Sequence, residues 1–227
     1  MGNFDATMIR DIVIVLVPMI LCLTVHEFAH AWSAHKLGDD TAASQGRMTL
    51  NPIAHIDPLG TFILPLLAIM SPGIPFFGWA KPVPVNPTRF SRKISMTTGM
   101  ILTALAGPIS NILLATASTI VYGLLIRFSP NLVVPGGGLG ELLQILVQIN
   151  VALAIFNLIP IPPLDGSRII DGLLPYRLRD MWQSFSHLSP LLLIGIFYAA
   201  PLILPGPIRA LTGLLRQLLV AIASPVG

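Results

Sequence analysis

Charge is what this sequence has least of. Lys, Arg, Asp and Glu make up only 10% of its 227 residues, against roughly 25% in soluble domains, and so few charges exclude an ordinary water-soluble surface. The 13 Lys and Arg residues sit between apolar blocks and form no stripe with interleaved aromatics, so no nucleic acid partner is expected. Cysteine is almost missing. Cys22 stands alone, so neither a disulfide framework nor a cysteine metal site can be built within the chain. Any metal must be held by histidine and carboxylate.

Apolar sequence is what the chain has instead. Hydrophobic residues make up 54% of it, and the mean hydropathy is +0.80. They gather into blocks of about 17 to 25 residues, the helical length that crosses a hydrocarbon core of roughly 30 Å. The expected surroundings are therefore a lipid bilayer, and the length fits a single membrane-embedded domain over residues 1–227. Core helices are expected at about 8–37, 95–127 and 141–160, with additional helices at about 187–204 and 207–223. The fourth of these reads as a span, and the fifth as a span or an interfacial helix. Residues 39–58 are polar and irregular. Residues 59–70 are apolar but too short to span, and Pro65 interrupts them. Residues 71–87 alternate proline with apolar residues and should be extended. The fold class that results is an all-α polytopic membrane protein, with a three-helix core, about two further C-terminal helices and a membrane-associated extended hairpin or loop. The first apolar block is too long, and too lacking in a small-residue cleavage site, for a removed signal peptide, and it is read as mature structure.

The chemistry begins inside that block. His26 and His30 are four apart, so a helix projects both imidazoles from one face, and Glu27 beside them can reach a metal-bound water without ligating the metal. Zn²⁺ in such a site acidifies its water, the carboxylate takes the proton, and the same group can pass it to a leaving amine. An ionisable residue within a membrane segment costs roughly 2.5 kcal/mol or more and is usually functional. Two histidines leave a catalytic zinc one protein ligand short. With cysteine excluded, the best donor is Asp165 in NLIPIPPLDG, residues 157–166, where prolines unwind the backbone. Asp165 also suits the start of a short helix, and the two roles are compatible. Two histidines and one carboxylate would suit iron(II) as well, and a metal-transit site would use the same three residues. Glu27 favours hydrolysis, because transit needs no base.

Topology tests the pairing. His26 lies roughly 27 Å along the first helix at 1.5 Å per residue, and Asp165 lies past the end of the third. The two meet on one side only if residues 59–70 do not cross. That side then holds Lys36, Arg47, Lys81, Arg89, Arg92, Lys93, Arg168, Arg177 and Arg179, whereas the other holds mainly Arg10 and Arg127. Positive residues mark the cytoplasm. The expected arrangement is a multi-pass protein of the cell membrane with its N-terminus outside and its metal nearer the cytoplasmic face.

Three motifs carry a family resemblance: HEFAH at 26–30, AGPISN at 106–111 and NLIPIPPLDG at 157–166. Together they resemble the site-2 proteases, which are intramembrane zinc metalloproteases. GRMTLNPIAHIDPLGT and FGWAKPVPVNP look like the compact branch of that family, without PDZ or CBS modules. The resemblance implies one catalytic zinc ion bound by His26, His30 and Asp165, with Glu27 as catalytic base. It also implies that Asn157 positions substrate or stabilises the oxyanion, a role its amide could fill on physical grounds, although a helix–helix hydrogen bond would suit it too. The implied activity is hydrolysis of peptide bonds within or next to transmembrane segments, so the implied partner is a transmembrane protein substrate. Gly107 and Asn111 read as helix-packing residues. His35 falls on the opposite face of the first helix from His26, and His55 lies in the polar loop. Residues 59–87 could form a hairpin that offers a strand edge to an unwound substrate.

Overall fold

Backbone amides in hydrocarbon must find partners within their own segment, and helix is the simplest answer. The computed structural model describes residues 6–71, 78–134 and 138–224, and among them it contains no strand. The helices are α1 (Ala6–Lys36), α2 (Thr41–Ser44), α3 (Leu64–Met70), α4 (Met96–Phe128), α5 (Gly138–Asn157), α6 (Asp165–Leu173), α7 (Tyr176–Ser186), α8 (Ser189–Ile203) and α9 (Pro205–Ala223). Four of them, α1, α4, α5 and α9, are long and apolar enough to cross a membrane. The chain is thus an all-α polytopic membrane protein.

Helix α1 has 31 residues and is about 46 Å long, more than a bilayer core needs, so its last turns emerge. Half-exposed Trp32 lies there with the Lys36 ammonium 5.6 Å from its ring centre, an amphipathic pair suited to the lipid–water boundary. At the other end Arg10 is ion-paired with Glu141, at the start of α5. Helices α1 and α5 therefore begin on the same side, and α4 returns between them. Ser95 caps α4 by accepting from the Thr98 amide at 3.0 Å.

The link between α1 and α4 stays on one side. Residues Pro58–Met70 form one short apolar helix, about 20 Å long, which is too short to span. Asp57 caps it by accepting from the amides of Leu59 and Gly60, and its first part, Pro58–Ile63, is wound as wide π turns. Pro65 has no N–H to return to residue 61, which is consistent with the wider winding just before it. Residues 78–86 run without helix. The amide of Trp79 donates to Gly60 at 3.2 Å and that of Lys81 to His55 at 2.9 Å, and Pro82 and Pro84 have no N–H to offer. The tip of the expected hairpin, residues 72–77, lies outside the described residues.

One expectation changes. Helix α8 has 15 residues, about 22 Å, and does not reach across a bilayer alone. The returning span is α9. Ile222, near its end, packs on Gly123 near the end of α4, whereas Ile208, near its start, borders the same cavity as Phe156 and Asn157 at the end of α5. Helix α9 therefore runs parallel to α4, and α6, α7 and α8 all lie before that final crossing. Leu193, Ala200 and Leu204 of the α8 region wall the same cavity. Apolar composition predicted a span at 187–204 and a span or an interfacial helix at 207–223, because composition alone cannot tell a lipid-facing helix from one that lines a cavity.

Candidate metal centre

The helical repeat places His26 and His30 one turn apart, with their rings edge to face and centroids 4.6 Å apart. Their Nε2 atoms are 3.0 Å apart. Asp165, the first residue of α6, brings its Oδ2 to 3.2 Å from each of those nitrogens. All three side chains are buried. Gly166 allows this approach, since a Cβ there would stand 2.3 Å from the carbonyl oxygen of Leu158.

The proton positions on the rings follow from their neighbours. His30 Nδ1 lies 2.7 Å from the carbonyl oxygen of Thr103, which can only accept, so Nδ1 carries the hydrogen. For His26 the chain of reasoning is longer. The amide of Asn150 donates to the Leu146 carbonyl at 2.8 Å. Its oxygen therefore accepts from Asn111 Nδ2 at 2.7 Å, and Asn111 Oδ1, at 2.6 Å, accepts from His26 Nδ1. A relay through α5 and α4 thus fixes the tautomer on α1. In its neutral form each ring therefore turns the lone pair of Nε2 toward a carboxylate oxygen.

In that form three lone-pair atoms lie within 3.0 to 3.2 Å of one another and would repel one another without a cation. Asp165 Oδ2 is buried and accepts no hydrogen bond, an arrangement that costs free energy unless a cation completes it. Donors on a tetrahedral ion at about 2.0–2.1 Å stand about 3.3 Å apart, so the spacing and the ligand types fit zinc.

Gly107 of α4 sits against the rings, and a Cβ there would lie 2.4 Å from His30 Nε2 and 2.5 Å from His26 Cε1. Its smallness thus serves the site as well as helix packing. Glu27 does not join the three donors, and its Oε2 accepts from the Val83 amide at 2.8 Å. That bond ties residues 78–86 to the site, and Glu27 keeps one carboxylate oxygen outside it. Asn157 lines the cavity and uses one amide hydrogen on the Leu153 carbonyl at 3.0 Å, leaving its second for another acceptor. His35 pairs with Asp40 at 2.6 Å. His55 is buried with its Nε2 2.8 Å from the Thr49 carbonyl oxygen, so neither His35 nor His55 belongs to the three-donor group.

The donors open on a cavity of about 750 Å³ that α5, α8, α9 and residues 78–83 enclose, with walls such as Met19, Leu153, Phe156 and Ile208 mostly apolar. The sequence pattern found the donors, but not Asn150, the Val83 amide or the pressure on Gly107. A polar residue in an apolar helix was the available signal for Asn150. A main-chain donor leaves no such signal.

The chain is similar to proteins named as zinc metalloproteases. The chain is 41% identical over 174 residues to "Putative zinc metalloprotease YwhC" of Bacillus subtilis (strain 168), over 76% of this chain and 74% of that protein. It is 32% identical over 155 residues to "Putative zinc metalloprotease Rip2" of Mycolicibacterium smegmatis and 35% identical over 155 residues to the Rip2 of Mycobacterium tuberculosis (strain H37Rv), each over 68% of this chain and 54% of the relative. The profile of peptidase family M50 matches residues 125–195. No solved structure matches the chain significantly.

Proposed function

Since this chain belongs to peptidase family M50, the site-2 protease family, and is a zinc metalloprotease, we propose that it hydrolyses peptide bonds within or next to transmembrane segments of other membrane proteins. The single observation that carries this reading is the convergence of two imidazoles and a carboxylate at a large apolar cavity inside a helical membrane bundle. An apolar cavity of that size takes a segment of apolar peptide, and the buried site excludes bulk water.

His26, His30 and Asp165 hold the zinc ion in this reading. When bound, zinc acts as a Lewis acid on the scissile carbonyl and acidifies the attacking water. Glu27 takes the proton from that water on the carboxylate oxygen that the Val83 amide leaves free, and later delivers it to the departing amine. Asn157 directs its second amide hydrogen at the negative charge that develops on the carbonyl oxygen. The Asn111–Asn150 relay keeps the hydrogen of neutral His26 on Nδ1, so that Nε2 is the atom offered to the metal.

Residues 1–227 act as one membrane-embedded domain in this reading, in the cell membrane, with the N-terminus outside and the centre nearer the cytoplasmic face. The bias of Lys and Arg toward the ends of α1 and α5 supports that orientation. The test compares wild type with Glu27→Gln for cleavage of a candidate single-span membrane protein in vesicles, with zinc measured in both. Cleavage by wild type alone, at equal zinc content, supports the reading, and equal processing by both refutes it.

A further inference from the structure

Beside the apolar cavity lies a second, smaller hollow of about 230 Å³, where α6 and α7 meet the start of α4. Its wall includes Arg168 and Asp171 from α6, Arg179 and Gln183 from α7, and Met96 and Thr97 from α4. Arg168 also borders the larger cavity, where it is the only Lys or Arg among the described lining residues. One guanidinium therefore stands between the reaction site and the hollow.

Neither arginine has an ion pair or hydrogen bond to a described residue, and Arg179 Nε is buried without a partner. Asp171 shares the hollow but lies beyond ion-pair distance of both, so its charge offsets one guanidinium and leaves the hollow net positive. The buried Arg179 Nε–H without an acceptor is costly, and a planar carboxylate matches the guanidinium fork better than any neutral group.

We propose that this hollow binds an acidic side chain of the substrate, Asp or Glu, which flanks the segment to be cleaved, with Arg168 and Arg179 as its partners. The proposal rests on the reading that the larger cavity holds a substrate segment. A substrate carboxylate is favoured over a lipid headgroup because Arg168 lies one helical turn beyond Asp165 and lines the reaction cavity itself. Including the reach of the arginine side chain, an anion there sits about two to four residues from the reacting carbonyl along a chain extended at ~3.3 Å per residue. Such a site would also discriminate. Cytoplasmic flanks of membrane spans are usually rich in Lys and Arg, so most spans would present the wrong charge to these two arginines.

The experiment measures binding apart from turnover. Fluorescent single-span peptides carrying Glu, Gln or Lys at two, three or four residues from a central unwound position are titrated into Glu27→Gln protein in nanodiscs of zwitterionic lipid. At one of those positions the Glu peptide should bind about tenfold or more tightly than the Lys peptide, and Arg168→Glu with Arg179→Glu should reverse the order at equal zinc content. A Glu–Lys difference that survives the double charge reversal would overturn the proposal, as would no difference at any position. Repeating the titration with anionic lipid in the nanodiscs separates the two sources of an anion: a Glu–Lys order that persists supports the substrate site, and an order abolished there would overturn it in favour of a headgroup site. Wild-type cleavage of the same peptides is scored separately. Its absence would count against the proteolytic reading, while the binding order would still decide the role of the hollow.

Discussion

At the start of α6, Asp165 joins two imidazoles whose hydrogens are turned outward, and one turn later Arg168 joins Arg179 in a hollow where guanidinium hydrogens meet no acceptor. The first pocket offers lone pairs to a cation, and the second offers guanidinium hydrogens to an anion. The first is buried and the second half-buried, in a chain that is otherwise apolar, where a buried polar group without a partner is costly. The contrast lies in the support. A relay from the Leu146 carbonyl through Asn150 and Asn111 fixes the hydrogen of His26 and the Thr103 carbonyl that of His30, whereas nothing comparable among the described residues holds the two arginines. A rigid shell suits a resident ion, and a loose one suits a group that comes and goes with each substrate.

The comparison can be broken from the metal side first. Glu27→Gln should lower cleavage about 10²- to 10⁴-fold while keeping the zinc, because Glu27 lies outside the three-donor group; turnover rate and metal content on one preparation check this. Asn157→Leu should lower kcat about 10²-fold with zinc unchanged. A change in KM alone would assign Asn157 to binding rather than to the oxyanion.

The supporting shell gives smaller effects. Asn150→Leu leaves an Asn111 hydrogen without its acceptor and frees the amide to rotate, so zinc affinity should fall about 10- to 100-fold, read by competition with a chelating dye. Asn150→Asp retains an acceptor for Asn111 and should lose less. Gly107→Ala drives a methyl group into both imidazoles and should cost about 1–3 kcal/mol of stability through overpacking, seen as a lower midpoint of thermal unfolding and a lower zinc content. The mildest change belongs to the other hollow, where Arg168→Gln should alter charge preference among substrates without altering zinc.

Much of this arrangement was legible in the sequence, for particular reasons. His26 and His30 are set by a helical repeat that no tertiary contact has to supply, and Pro65 with the shortness of residues 59–70 settles which side the chain returns from. The parity of crossings then carries Asp165 to the histidines. What escaped depends on contacts between distant segments. Asn150 is one amide among apolar neighbours until Asn111 is known to lie 2.7 Å away. The Val83 amide has no side-chain trace at all. Composition read α8 as a span and left α9 as a span or an interfacial helix, because both are apolar and only packing against α4 singles out α9.

Zinc content per chain tests the central claim most directly, measured by elemental analysis on purified wild type, Glu27→Gln and Asp165→Ala. The account predicts one zinc in the first two and far less than one in Asp165→Ala. A full zinc complement in Asp165→Ala, or zinc lost from Glu27→Gln, would contradict it.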